Sequence, residues 1–241
     1  MTARAIDIRP ANSRFHTHIS WLESWHSFSF SDHYDPNNTH HGLLLVSNDD
    51  VVAPGTGFGT HPHRDMEIVT WVLTGALGHR DSEGNEGVIT PGIAQRMSAG
   101  TGIRHSEMNA SEVEPVHLLQ MWVPPDTRGL PPGYEQVDVG TDIKLDELFP
   151  LASGREATAA IQIHQRDATL WIAKLTPNAQ TSVPDAPFVH VFIAEGDTTL
   201  DAETDLQTGD AARLTDAGPL ALTAGSDGAH AVIWEMHSEL R

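Results

Sequence analysis

Glycine and proline interrupt this chain at short, regular intervals, and that spacing limits what the chain can form. The 241 residues include 20 glycines and 15 prolines. Turn-like segments such as APGTGFG, SEGNEG and SAGTG recur at roughly the 8–12-residue spacing that is typical of β-sandwiches and barrels. Between them lie short runs rich in β-branched and aromatic residues, among them EIVTWVL and FVHVFIA, and such residues favour strands. Helical periodicity is almost absent, so we predict an all-β protein with little helix.

The two halves of the chain repeat one order of strands and turns. EIVTWVLTG (67–75) matches FVHVFIAEG (188–196), and GIAQRMSAG (92–100) matches GDAARLTDAG (209–218). A third pair, VHLLQMWV and AHAVIWEM, follows in the same order. Isolated matches arise in any β protein, but three in one order favour an internal duplication. We therefore predict two consecutive β-barrels.

A segment rich in proline and glycine, VPPDTRGLPPGYEQ, separates the repeats and suits a linker. We predict an N-terminal barrel over 1–125, a linker over 126–136 and a C-terminal barrel over 137–241. The second copy lacks histidines at the positions that correspond to His61 and His63. The sequence therefore predicts a metal site in the first barrel and a metal-free second barrel.

Composition and charge narrow the classes of partner. Cysteine is absent, which excludes disulfides and thiolate ligands. The formal net charge is −19, and the lysines are Lys144 and Lys174 alone, so we predict no direct contact with nucleic acid, whose phosphates would be repelled. The chain has no run near the ~20 apolar residues that span a bilayer, and its first residues do not resemble a secretory signal. We expect a cytoplasmic protein without membrane contact.

Two short motifs place metal-ligating side chains on the same face of a strand. His61 and His63 flank Pro62, and residues two apart in a strand project to one side. Pro62 suits the edge of a sheet, because it donates no hydrogen bond to a neighbouring strand. His105 and Glu107 repeat the spacing after a glycine-rich bend. Three imidazoles and one carboxylate suit Fe, Mn, Ni, Cu or Zn and are poor ligands for Mg or Ca.

Strand parity also connects Glu67 to this site. If the strand continued from His63, then Glu67, Val69 and Trp71 would share the side of the histidines, and we predict that this face lines the barrel. Trp71 and Trp122 are interpreted as core residues. We assign no role to the remaining histidines, which include His79 and the second His-x-His pair at 16–18.

These residues carry a resemblance to a known family. The pattern Gly55-x5-His61-x-His63-x3-Glu67-x7-Gly75 resembles the first cupin motif. The strings GFGTHPHRDMEIVTWVLTGAL, QRMSAGTGIRHSEMN and WLESWHSFSFSDHYDP are similar to the pirin branch of the cupin superfamily. The likeness covers about residues 15–136 and continues weakly into the second half. It implies a bicupin, that is, two jelly-roll-like cupin barrels in tandem.

The resemblance also implies a ligand set and an activity. In the pirin pattern the ligands correspond to His61, His63, His105 and Glu107. The general cupin pattern takes the carboxylate from Glu67 instead. We favour Glu107, with Glu67 as a residue that orients a ligand. The cofactor would be one divalent transition metal, with iron as first choice and Mn, Ni, Cu, Co or Zn as alternatives.

Two functions are compatible with this resemblance. The first is a quercetin 2,3-dioxygenase-like oxidoreductase that opens a flavonol such as quercetin with O2, in which Glu107 is ligand and catalytic base. The second is a metal- or redox-dependent regulator that acts through a protein partner without turnover. The acidic surface suits a basic partner protein.

Overall fold

The structure is a computed structural model that describes residues 5–240, and strands dominate it. Within these residues the helical content is one 3-10 turn, Ala11–Ser13, and no helix is long and apolar enough to cross a membrane. The strands up to residue 138 are β1 (Ala5–Arg9), β2 (Phe15–Ile19), β3 (Leu22–His26), β4 (Val46–Val52), β5 (Gly57–His63), β6 (Glu67–Thr74), β7 (Leu77–Asp81), β8 (Glu86–Ile89), β9 (Ile93–Ser98), β10 (Ile103–Asn109), β11 (Val116–Val123) and β12 (Gly133–Asp138). The later strands are β13 (Leu148–Ser153), β14 (Ile161–Gln162), β15 (Ala168–Leu175), β16 (Gln180–Val183), β17 (Phe188–Leu200), β18 (Thr204–Leu206), β19 (Ala211–Thr215) and β20 (Leu220–Met236).

Two sheets form the first barrel. A seven-stranded sheet has the order β12-β9-β6-β11-β4-β3-β2, and a four-stranded sheet has the order β5-β10-β7-β8. Their inner faces meet in an apolar cluster that includes Leu22 from the larger sheet and Leu77 from the smaller one. Because β5 is an edge strand, Pro62 sits where the sequence predicts it.

The second barrel is one continuous sheet that curves on itself. Its main order is β1-β19-β17-β20-β15-β13-β14, and β16 and β18 pair with the long strands β20 and β17. Register shifts in β17, at Ile193/Glu195 and Gly196/Thr198, mark irregularities at which such strands bend. The interior is filled by aliphatic side chains such as Val191, Ile193 and Ile233.

One strand from the start of the chain joins the second barrel. β1 pairs with β19 of that barrel, whereas β12, most of which lies in the predicted linker, pairs with β9 of the first. A shared apolar core joins the halves further, since Val69 and Met121 from the first pack in one cluster with Leu170 and Trp234 from the second. The domain limits at 125 and 137 stay a prediction.

Candidate metal centre

Strands β5 and β10 bring three imidazoles together. The register pairs His105 with His61, and a bulge between His105 and Glu107 shifts the next pair to Glu107 and Phe58. The ring centroids are 4.8 Å apart for His61 and His63, 4.5 Å for His61 and His105, and 4.9 Å for His63 and His105. One ring nitrogen of each imidazole lies within 4.8 Å of the others. Two neighbouring strands thus aim three nitrogen donors at one point.

The protonation pattern of this cluster suits a bound cation. The Nδ1 atom of His61 donates to the Gly59 carbonyl at 2.8 Å, which leaves Nε2 as an acceptor. That Nε2 lies 3.1 Å from Nε2 of His105, and the buried Nε2 of His63 has no hydrogen-bond partner. Burial, reinforced by the neighbouring imidazoles, lowers the pKa of His63 to about 4 and that of His105 to about 3. Protons are therefore disfavoured here, whereas a metal ion would satisfy all three lone pairs.

Glu107 lies beside the imidazoles and is held by a neighbouring strand. Its carboxylate is buried, and one oxygen is within 4.8 Å of donor atoms of His105 and His79. Gln120 on β11 donates from Nε2 to both oxygens of Glu107, at 2.9 and 2.8 Å. The Trp122 indole donates to Oε1 of Gln120 at 3.1 Å and so fixes the direction of the amide. His105 thus belongs to two groups of donors, one with His61 and His63 and the other with His79 and Glu107.

Glu67 lies elsewhere, and both predicted roles for it are wrong. Its carboxylate accepts hydrogen bonds from Ser98 Oγ at 2.7 Å and from the His164 backbone N–H at 3.1 Å. The reason is that β5 ends at His63, and a turn with Asp65 at φ +48° precedes β6. This turn reverses the parity, so Glu67, Val69 and Trp71 face the second barrel instead of the cluster.

A cavity of about 430 Å³ opens beside the cluster. Much of its wall is aromatic, with side chains of Trp21, Phe30, Phe58 and Trp122. His61, His63 and Glu107 form part of one wall, and β3 and β4 supply polar groups including His26 and Asp50 opposite. Such a volume accommodates a small organic molecule whose polar end faces the donors.

Sequence reasoning missed several residues of this site. Trp122 was predicted to be core, yet it stacks edge-on against His63 with ring centroids 4.8 Å apart and borders the cavity. Gln120 and Asp50 carried no signal, because their roles depend on contacts with another strand, which the spacing within one strand does not show. His79 did carry one: it has the same i, i+2 relation to Asp81 as His105 has to Glu107.

Two β-barrels in tandem, with imidazoles and a buried glutamate clustered in the first, define a bicupin with one candidate metal centre. Within residues 5–240 the second barrel contains no comparable group of three. The chain belongs to the pirin family of these proteins. The family model described as Pirin matches residues 8–123, and the one described as Quercetinase C-terminal cupin domain matches residues 150–236. The predicted family and fold class are confirmed.

Similar proteins match over nearly the full length. An Escherichia coli K12 protein named quercetin 2,3-dioxygenase is 39% identical over 224 residues, which are 92% of this chain and 95% of that protein. A Mycobacterium tuberculosis H37Rv protein, provisionally named as quercetin 2,3-dioxygenase, is 55% identical over 241 residues, covering 100% of this chain and 98% of that protein. The crystal structure of the bacterial pirin YhhW from Escherichia coli, in complex with nickel(II), aligns at 35% identity with a TM-score of 0.88, covering 97% of this chain and 100% of that one. This kinship confirms the prediction of an enzyme of the oxidoreductase class.

Proposed function

We propose that this protein is a metal-dependent dioxygenase of the cupin type that opens flavonols such as quercetin with O2. The observation that supports the proposal is a group of three imidazoles, His61, His63 and His105, beside an aromatic cavity whose wall includes His61, His63 and Glu107. The names of its full-length relatives support the same reaction class.

His61, His63, His105 and Glu107 would hold the metal. Neutral imidazoles with one carboxylate suit a divalent transition ion, and a similar bacterial pirin binds nickel(II). Iron stays the first choice from the sequence, with Mn, Ni, Cu, Co and Zn as alternatives, since such a donor set accepts several of them. When bound, the metal supplies Lewis acidity, which lowers the pKa of a coordinated hydroxyl.

The protein side chains supply orientation and proton transfer. The flat faces of Trp21, Phe30 and Phe58 would hold the rings of a flavonol and exclude water. Glu107 would take the proton of the substrate 3-hydroxyl on a carboxylate oxygen, and the hydrogen bonds from Gln120 would hold that carboxylate in place. The proton leaves the hydroxyl as the O–H bond breaks, and the electron pair stays on the substrate oxygen.

The first test measures turnover and metal content together. Protein loaded separately with Fe, Mn, Ni, Cu and Co is mixed with quercetin in air, and the loss of flavonol absorbance is followed. We expect His61→Ala to lose its metal and to lower turnover at least ~100-fold, because one of the strongest donors is gone. Glu107→Gln separates the roles of ligand and base, and a variant that keeps both its metal and full turnover would exclude Glu107 as the base.

His18→Ala is the matched control. His18 belongs to the second His-x-His pair, lies on the surface and contacts Glu23 instead of the cavity. We expect this variant to keep the metal content and turnover of the parent protein. Absence of turnover with all five metals would contradict the dioxygenase and favour the regulatory alternative with a protein partner.

A further inference from the structure

A buried histidine and aspartate stand directly behind His105. His79 and Asp81 lie on β7, which pairs with β10 in the register His105↔Asp81 and Glu107↔His79. The side chains of both are fully shielded from solvent. The Nδ1 atom of His79 lies 3.4 Å from Nδ1 of His105, and its Nε2 lies 3.2 Å from Oδ2 of Asp81. The three groups therefore form a line that ends at the metal cluster.

The hydrogen bonds around Asp81 determine the direction of this line. Oδ1 accepts from the backbone N–H groups of Glu83 and Asn85, both at 3.0 Å, and Oδ2 accepts from the Asn85 amide at 2.9 Å. Because both oxygens of Asp81 act as acceptors for these donors, Nε2 of His79 carries a proton and donates a hydrogen bond to Oδ2 of Asp81.

With that proton on Nε2, the lone pair on Nδ1 of His79 is left as an acceptor. The atom that faces it is Nδ1 of His105, which must then carry the proton between them. The Nε2 atom of His105 is left with a bare lone pair, directed at Nε2 of His61. His61 has the same tautomer, with the proton on Nδ1 and the lone pair on Nε2, because its Nδ1 donates to the backbone carbonyl of Gly59.

We propose that Asp81 and His79 are positioning residues that fix the tautomer of His105 and so present its Nε2 to the metal. The inference rests on the proposed function in one respect, the assignment of His105 as a ligand. Hydrogen-bonded groups behind a ligand commonly set its tautomer and orientation in metal sites. Here the carboxylate of Asp81 acts on His105 through the imidazole of His79, which lies between them.

An alternative role for His79 is that of a fourth imidazole ligand, because His79, His105 and Glu107 also form a group within 4.8 Å. The contacts favour positioning. Nε2 of His79 is engaged by Asp81, and its ring is stacked on Tyr134 of β12, with centroids 4.7 Å apart. Only Nδ1 is free to act, and it faces a nitrogen of His105.

Asp81→Asn is the sharpest test, because the surroundings dictate how the new amide must lie. The two backbone N–H groups at Oδ1 require the carbonyl oxygen there, which places the NH2 group opposite Nε2 of His79. That NH2 donates, so His79 must move its proton to Nδ1, and the Asn85 amide, which donates to Oδ2 in the parent, must turn so that its oxygen faces the NH2 group. His105 then accepts at Nδ1 and carries its own proton on Nε2, where the metal should bind.

Two measurements follow. In metal-free protein, 15N chemical shifts and long-range 15N–1H couplings of the imidazoles report the tautomers, and we expect His105 to change from Nδ1-H to Nε2-H while His61 stays Nδ1-H. Calorimetric titration with Ni2+ alone should show affinity lowered about 10- to 100-fold in Asp81→Asn. If Asp81 only stabilised the fold, its replacement would not change the tautomer of His105 while leaving that of His61 unchanged.

Two further variants complete the experiment. Arg80→Gln, on the same strand, changes an exposed side chain paired with Glu86, and we expect affinity equal to that of the parent. If Asp81→Asn does not fold, His79→Phe removes the acceptor and keeps a ring against Tyr134, and we expect a mixture of His105 tautomers. An Nδ1-H tautomer of His105 retained in Asp81→Asn, or unchanged Ni2+ affinity, overturns the inference. Failure of the parent protein to bind any metal would count against the proposed function, while the tautomer measurement would still decide the positioning role.

Discussion

Asp50 is a fully buried acid on the wall of the cavity, and its surroundings oppose ionisation. It lies on β4 and accepts a hydrogen bond from Ser24 Oγ. Burial raises the pKa of Asp50 to about 7; the Ser24 hydrogen bond acts against this, while the nearby charges of Asp49 and Glu107 add to it. Near neutral pH this side chain is therefore only partly ionised.

The raised pKa of Asp50 makes stability depend on pH in a defined direction. Below about pH 4 the Asp50 carboxyl is mostly neutral in both the folded and unfolded states, so its ionisation does not lower the free energy of unfolding. As pH rises from about 4 to about 7 only the unfolded state ionises, and the free energy of unfolding falls. Asp50→Asn cannot titrate, so in metal-free protein we expect it to be more stable than the parent by up to about 4 kcal/mol at about pH 8, and nearly equal at about pH 4.

Urea unfolding at several pH values measures this difference. Asp32→Asn is the control, since Asp32 lines the same cavity but is exposed at its rim, and its stability should follow that of the parent at each pH. A stability difference for Asp50→Asn that is the same at both ends of the pH range would show that Asp50 is ionised throughout.

At the scale of single residues, the sequence predicted side chains whose partners lie close along the chain. The i, i+2 spacing of His61 and His63, and of His105 and Glu107, is a local property of a strand. The structure groups His105 with His61 and His63, and also with Glu107 and His79. Gln120 and Asp50 could not be found in this way. Their contacts with Glu107 and Ser24 depend on which strands become neighbours, and local spacing does not encode that.

At the scale of elements, the cluster depends on a close approach of β5 to β10. A Cβ added at Gly57 would lie 2.2 Å from the Glu107 carbonyl oxygen and 2.6 Å from Cα of Met108. Both contacts are with backbone, so the strands would have to separate where Glu107 is attached. We expect Gly57→Ala to lower the free energy of unfolding by about 1–3 kcal/mol and to weaken Ni2+ binding.

Gly59→Ala is a matched control on the same strand. A Cβ at Gly59 would meet nothing within 4 Å, and its carbonyl would still accept from His61. We expect stability and Ni2+ affinity close to those of the parent. Gly57→Ala protein with parent-like stability would indicate that β5 can shift along or away from β10 without disturbing the site.

The error at Glu67 also belongs to this scale. The alternation of side chains predicts a shared face only while a strand continues. The residues between His63 and Glu67 contain no glycine or proline that would indicate the end of a strand. Asp65 adopts a left-handed conformation that is uncommon for a residue other than glycine. One turn therefore divided the predicted strand between two sheets and reversed the face of everything after it.

At the scale of the whole molecule, the halves are joined more closely than a duplication with a linker suggests. The internal repeat predicted two barrels, but it could not predict that β1 pairs with the second barrel or that β12, mostly in the predicted linker, extends the first. An edge strand pairs with whichever edge is open. The cluster that contains Val69, Met121, Leu170 and Trp234 belongs to both halves. Each barrel thus buries part of its apolar surface only against the other.

This shared core predicts that the two barrels unfold together. In metal-free protein, where binding does not stabilise one half selectively, we expect one calorimetric transition whose van't Hoff and calorimetric enthalpies agree.

Leu119→Ala and Leu170→Ala remove buried side chains from opposite halves of the shared cluster. Each should lower the temperature of that same transition, at a cost of about 2–5 kcal/mol. Leu145→Ala, at a side chain that is 60% exposed, should leave it in place. Two transitions in the parent, of which each core variant moves one, would mean that the barrels fold independently despite the pairing of β1 with β19.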